Sequence, residues 1–231
     1  MNLNFLSSEE RAIPLDKKAI LEAAENFVKE KLAADSSGHD WWHIYRVTKS
    51  AEKIAQMESA NEFICTLAAL LHDLADEKLI GIGNEAAGLT KIGEWLRQHG
   101  VAEDDITHVI EIIGTMSFNG GNQSAMKTLE GKIVQDADRL DALGAVGIAR
   151  TFAYSGAKGQ LSHDPTLVPR ENMTAEEYRN GKSTAINHFY EKLLKLKDLM
   201  NTDYAKELAA KRHQFMVRFL EQFYEEWEGK R

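Results

Sequence analysis

The fold class the amino-acid sequence predicts is all-α, and three observations predict it. Apolar residues recur at helical intervals over long segments, strand-like alternation is nearly absent, and only three prolines occur in 231 residues. Glycines punctuate the periodic segments at Gly38, Gly81, Gly83, Gly100, Gly120, Gly121 and Gly131.

Taken in order, the pattern predicts helices over about 16–34, 39–58, 61–76, 84–99, 103–116, 129–153 and 182–200. The second follows Gly38 and opens on "HDWWHIYRV". The third contains the apolar run "ICTLAALL" and ends on His72, Asp73 and Asp76. The fourth lies between Gly83 and Gly100. A last helix is read from Leu208, Phe215, Phe219, Phe223 and Trp227, which with Met216, Leu220 and Tyr224 make one broad apolar face expected in the core. The tail "EEWEGKR" is expected to fray. The interval 155–182 has two prolines, three glycines and little apolar periodicity, and reads as a long irregular loop, either a lid or a plain insertion. Thr174 with Glu177 suits a short capped helix inside it.

The length suits one domain over 1–231, with its motif-bearing region at about 35–150 and the loop and C-terminal helices at 151–231. With 43% hydrophobic and 28% charged residues this is the composition of a soluble globular chain. A formal charge of −8 and the lack of a Lys/Arg-dense stripe argue against a grip on duplex nucleic acid. They do not argue against a small phosphorylated substrate, since one metal ion supplies positive field locally. The single cysteine, Cys65, lies in the apolar run and is expected to be a small core residue. No segment has the length of a membrane span or the start of a secretory signal, so the expected location is cytoplasmic.

Three stretches carry chemistry. His43 lies in the first, His72 and Asp73 in the second, and "IVQDADRLDALGAVGIAR" brings Asp136, Asp138 and Asp141 into an alanine- and glycine-rich segment. Asp138 and Asp141 share a helix face, whereas Asp136 points elsewhere, to cap the helix it lies on or to pair with Arg139. Buried carboxylates without compensating lysines are expensive unless something cationic neutralises them. His43, His72, Asp73 and Asp138 together offer two imidazoles and two carboxylates, a mixed N/O set suited to a divalent ion with open positions. A structural zinc site made of thiolates is excluded by the cysteine count.

The order His, then His-Asp, then Asp resembles the HD-domain superfamily of metal-dependent phosphohydrolases. "HIYRV" is similar to its H-x-x-R-V, "HDLAD" to its H-D-x-x-[DE] and "ADRLDA" to its A-D-x-L-x-A. The longer strings "GHDWWHIYRV", "DADRLDALGAVGIAR" and "HFYEKLLKLKDLMNT" resemble a bacterial stand-alone branch that includes nucleoside triphosphate pyrophosphohydrolases.

The resemblance implies an HD-type helical bundle in which His43, His72, Asp73 and Asp138 hold one divalent ion, Mn²⁺ first, with Mg²⁺, Co²⁺, Ni²⁺, Fe²⁺ or Zn²⁺ as alternatives. It implies that Asp76 positions or deprotonates the attacking water; the plainer role is a helix-terminal carboxylate bonded to Lys78. Arg46 is read either as a substrate-phosphate contact or as a partner of Asp40 or Asp73. Asp141 either orients a ligand or anchors Arg150, and Lys182, with Lys158 and Arg170, is a candidate phosphate contact from the loop. His39 and Asp40 either support the ligands or begin the helix. Trp41 and Trp42 either stack a base or pack.

The implied activity is hydrolysis of nucleoside or deoxynucleoside triphosphates to monophosphate and pyrophosphate, in an enzyme whose partner is a small nucleotide rather than a membrane. The alternatives are a 5′-nucleotidase acting on monophosphates and a nucleotide-sensing module without turnover. "HDLAD" departs from the "HDIGK" of cyclic-dinucleotide phosphodiesterases and from the longer motif of deoxyguanosine triphosphatases.

Overall fold

The computed structural model describes residues 15–32, 40–75, 83–116, 126–171 and 181–230. Among these the architecture is helical: α1 (Leu15–Leu32), α2 (Trp41–Glu58), α3 (Glu62–Leu71), α4 (Glu85–Gln98), α5 (Glu103–Met116), α6 (Leu129–Asp141), α7 (Gly144–Ala157), α8 (Ala185–Glu191) and α9 (Asp203–Trp227). Two 3₁₀ segments, His72–Ala75 and Leu193–Leu199, join them.

The centre is α3. Every residue from Phe63 to Leu71 is buried, so this helix is apolar all round and packs against α1, α2, α5 and α6. Cys65 lies fully inside it, and burial pushes its thiol pKa up, as befits an inert core side chain. No described helix is long and apolar enough to cross a membrane.

Side chains set the helix starts. Asp40 accepts from the His43 N–H and begins α2, Asn61 accepts from Ile64 N and begins α3, and Thr128 accepts from Gly131 N and begins α6. The start of α9 is held from outside. Asp136 of α6, itself fully buried, accepts from the backbone N–H groups of Asn201 and Thr202, from Asn201 Nδ2 and from Thr202 Oγ1, and Glu58 of α2 accepts from Tyr204 N. The carboxylates thus supply both acceptors and negative charge where the helix exposes its N–H groups.

Four expectations are corrected. The segment 129–153 is two helices, not one. The chain leaves α6 at Ala142–Leu143 and restarts at Gly144, whose φ of +74° favours glycine and where a Cβ would lie 3.1 Å from Arg212 Cγ. Three residues on, a Cβ at Gly147 would lie 2.2 Å from the Ala142 carbonyl oxygen, so the turn needs glycine there too.

The segment 182–200 is a short α8 followed by a 3₁₀ stretch. Buried Leu193 and Leu196 lie three apart, the spacing of a 3₁₀ face, and Lys192 has left helical geometry at φ −137°. The buried face of α9 is Ala205, Ala209, Met216 and Leu220, while Phe215 and Trp227 are half exposed at its rim. The helix continues through Glu225 and Glu226 to Trp227 rather than fraying at "EEW".

The described part of the irregular interval is tied down. Ala185 N and Ile186 N donate to the Leu161 and Ser162 carbonyls, and Asn187 Nδ2 donates to the Leu167 carbonyl. Glu191 on α8 accepts from Arg170 Nε at 2.9 Å, Arg170 Nη2 at 2.8 Å and Ser183 Oγ at 3.0 Å. The Thr174–Glu177 capping pair lies outside the described residues.

Candidate metal centre

The Asp40 cap fixes where α2 begins and so places His43 in its first turn, with the ring turned inward and 2% exposed. Its Nδ1 lies 2.8 Å from Asp141 Oδ2 on α6. A carboxylate only accepts, so Nδ1 carries the proton and Nε2 of the neutral ring is left with a lone pair. His72, at the end of α3, is arranged in the same way: its Nδ1 lies 2.8 Å from the Ala69 carbonyl oxygen, which also only accepts. The two rings meet edge to face with centroids 5.5 Å apart.

Asp73, the next residue in the 3₁₀ turn, bridges the two rings. Its Oδ2 is 3.4 Å from His43 Nε2 and its Oδ1 is 3.2 Å from His72 Nε2. One ligand atom from each of His43, His72 and Asp73 falls within 4.8 Å of the others, and all three residues are buried. Asp138 on α6 brings Oδ1 to 3.5 Å from His43 Nε2, with its side chain 44% exposed against 2% for His43. It therefore stands at the open edge of the cluster.

This donor chemistry fits a divalent ion. With both Nδ1 protons directed elsewhere, the inward atoms are lone pairs on nitrogen and carboxylate oxygens, which repel one another unless a cation lies between them. The 3.4 and 3.2 Å separations of His43 Nε2 and His72 Nε2 from the two Asp73 oxygens are close to the roughly 3.0–3.4 Å between neighbouring ligand atoms about 2.1 Å from one ion. His43, His72 and Asp73 are thus positioned to hold a metal ion.

Around this cluster lies a second layer centred on Asp141. Arg46, one turn after His43, places Nε 2.7 Å from Oδ1 and Nη2 3.0 Å from Oδ2, and Arg150 of α7 places Nη1 2.8 Å from Oδ2. Burial acts to raise the Asp141 pKa, but the hydrogen bonds from His43 and Arg46 and the charge of Arg150 outweigh it and hold the carboxyl well below its ordinary range. Arg46 is correspondingly pushed up, first by its hydrogen bond to Asp141.

The other sequence candidates are placed as follows. Asp136 points away from the cluster and caps α9. Arg170 is engaged by Glu191, while Lys158 and Lys182 are exposed on the loop. Asp40 is the cap of α2, Trp41 is half-buried with Lys29 over its ring, and Trp42 is exposed. Asp76 and His39 lie outside the described residues. The Arg170–Glu191–Ser183 latch was not legible in advance, because nothing in the local pattern marks Glu191 as buried.

Comparison with known proteins gives the family of the chain. The HD domain family matches residues 41–143, which takes in His43, His72, Asp73, Asp138 and Asp141. The uncharacterized protein YpgQ of Bacillus subtilis is 42% identical over 203 residues, covering 87% of this chain and 90% of YpgQ. A crystal structure of YpgQ in complex with ADP superposes with a TM-score of 0.73 at 37% identity, covering 92% of this chain and 97% of that one. A protein described as an HD-superfamily hydrolase from Bacillus thuringiensis superposes with a TM-score of 0.74 at 50% identity, covering 92% and 98%. The chain belongs to the HD-domain superfamily and is a metal-dependent phosphohydrolase of that family.

Proposed function

We propose that the protein hydrolyses nucleoside or deoxynucleoside triphosphates to the monophosphate and pyrophosphate, with a divalent ion, Mn²⁺ foremost, held by His43, His72, Asp73 and Asp138. The nucleotide part of this reading rests on one observation, the ADP held by YpgQ, a relative that matches nearly the whole chain. The hydrolytic part rests on the lone-pair cluster at the meeting point of α2, α3 and α6, open on the Asp138 side.

An ion bound there supplies Lewis acidity toward a phosphoryl oxygen and lowers the pKa of a water. The chain's residues do the rest. The protonated Nδ1 atoms of His43 and His72 keep both Nε2 lone pairs inward, and Asp138 faces the side from which substrate enters. Asp76, three residues after Asp73 in sequence, takes the proton from the attacking water. Lys182 and Lys158 are the loop cations assigned to the outer phosphates.

Hydrolysis of a triphosphate in ¹⁸O-labelled water with Mn²⁺ tests this directly. Label in the nucleoside monophosphate, with unlabelled pyrophosphate, is the expected result. Label in pyrophosphate, or turnover confined to monophosphates with labelled orthophosphate, overturns it; the second outcome identifies a 5′-nucleotidase. A triphosphate that binds without turnover leaves the sensing module.

A further inference from the structure

Asp141 holds no place in the ligand set, yet both of its carboxylate oxygens are engaged beside it. Oδ2 alone receives His43 Nδ1 at 2.8 Å, Arg150 Nη1 at 2.8 Å and Arg46 Nη2 at 3.0 Å, while Oδ1 receives Arg46 Nε at 2.7 Å. The Asp141 side chain is 4% exposed, against 32% for Arg46 and 30% for Arg150. The guanidinium groups therefore close over the carboxylate from the solvent side while the imidazole meets it from within.

The backbone is shaped to bring this about. Arg150 lies nine residues after Asp141, and the chain reverses onto it through the turn that requires Gly144 and Gly147. Arg46 arrives from the same helix as His43, one turn later. The rigid fork of Arg46 fixes both oxygens, and Arg150 fixes one of them a second time. A carboxylate held this way has one orientation, and so does the imidazole bonded to it.

We propose that Asp141 is the positioning residue of the metal centre: clamped by Arg46 and Arg150, it holds the His43 ring in the rotation and tautomer that turn the Nε2 lone pair toward His72, Asp73 and Asp138. An acidic group behind a ligating histidine also raises that ligand's basicity, so affinity as well as geometry depends on it. The proposal rests on His43 being a ligand, and concerns metal binding rather than the nucleotide.

Asp136 is the internal control. It lies on the same helix and is fully buried, and the hydrogen bonds it accepts from Asn201 and Thr202 come from groups that touch no ligand. A loss caused by disturbing any buried carboxylate of α6 would appear in both residues; a loss caused by releasing His43 appears only in Asp141.

The test is Mn²⁺ titration calorimetry on the full chain, at a temperature where circular dichroism shows each variant folded. Wild type, Asp141→Asn, Arg150→Gln, Asp136→Asn and His72→Ala are compared. The expected result is a Kd for Mn²⁺ raised about 10- to 100-fold in Asp141→Asn, the usual cost of losing a group behind a ligand. Arg150→Gln, which leaves the carboxylate but loosens its clamp, should raise Kd about three- to tenfold by the same mechanism. Asp136→Asn should bind Mn²⁺ like wild type although less stable.

Wild-type affinity in Asp141→Asn, or an equal loss in Asp136→Asn, overturns the positioning role while leaving the ligand assignment intact. Should Asp141→Asn fail to fold, Arg150→Gln decides in the same way. Undiminished binding in His72→Ala overturns the ligand assignment and the positioning role with it.

Discussion

His43 Nε2 and Asp73 Oδ2 stand 3.4 Å apart, on side chains that are 2% and 8% exposed and come from different helical segments. Two buried acceptor atoms at that distance repel one another unless a cation lies between them. Replacing His72 or Asp73 by Ala should therefore abolish stoichiometric metal retention, because the remaining atoms no longer enclose one point. Elemental analysis of dialysed protein checks this, with about one ion per chain expected in wild type and near zero in either variant.

Asp76→Ala should keep the metal and lose turnover. A general base contributes about 10²- to 10⁴-fold, so kcat should fall by that factor at saturating nucleotide with metal content unchanged. Unaltered kcat would assign Asp76 to the helix terminus and leave water activation to the ion alone.

Gly147→Ala should destabilise the protein even though alanine is the better helix former. The propensity gain is about 1 kcal/mol, whereas a Cβ 2.2 Å from the Ala142 carbonyl oxygen forces the turn apart. Overpacking against backbone costs about 1–3 kcal/mol or more. The net effect should be a lower urea midpoint at unchanged slope, and a second effect on Mn²⁺ affinity, because the turn carries Arg150 onto Asp141.

Stability should fall on acidification between about pH 6.5 and pH 4. His188 is pushed down from 6.5 to about 4, first by burial and then by the nearby Lys192 charge. Across that window the unfolded chain binds a proton that the folded chain refuses, so stability is complete above the unfolded pKa and is lost as pH drops through the window. The loss is on the order of 3 kcal/mol at most. Glu191, lowered because its bonds to Arg170 and Ser183 outweigh burial, adds a loss of the same sign below its ordinary 4.5. Thermal midpoints at successive pH values check this, and His188→Asn should flatten the segment above pH 4.5 specifically.

What was legible of the candidate site lies on the short motifs "HIYRV", "HDLAD" and "ADRLDA". Asp138 and Asp141 lie three apart on one face, and the His-Asp pair ends an apolar run whose burial follows from its length. What escaped was set by partners far away in sequence. The two readings of Asp141, and the alternatives for Arg46, could not be resolved locally, since Arg46 and Asp141 are separated by 95 residues. The break between α6 and α7 was hidden because apolar periodicity runs on across "ALGAVG", and only the left-handed backbone at Gly144 reveals it. Phe215 and Trp227 fit the apolar face of the last helix by spacing, yet small Ala205 and Ala209 make the close contact.

The capping of α9 by Asp136 bears on when the protein can be completed during synthesis. The helix that carries Asp138 and Asp141 leaves the ribosome some 65 residues ahead of Asn201. Until residues 201 and 202 emerge, Asp136 lacks the donors that satisfy its carboxylate in the folded chain, so that side of α6 has to stay open to water. The face of α6 that carries Asp138 and Asp141 and the anchor of α9 are two sides of one element, so that element is completed only after residues 201 and 202 have been made.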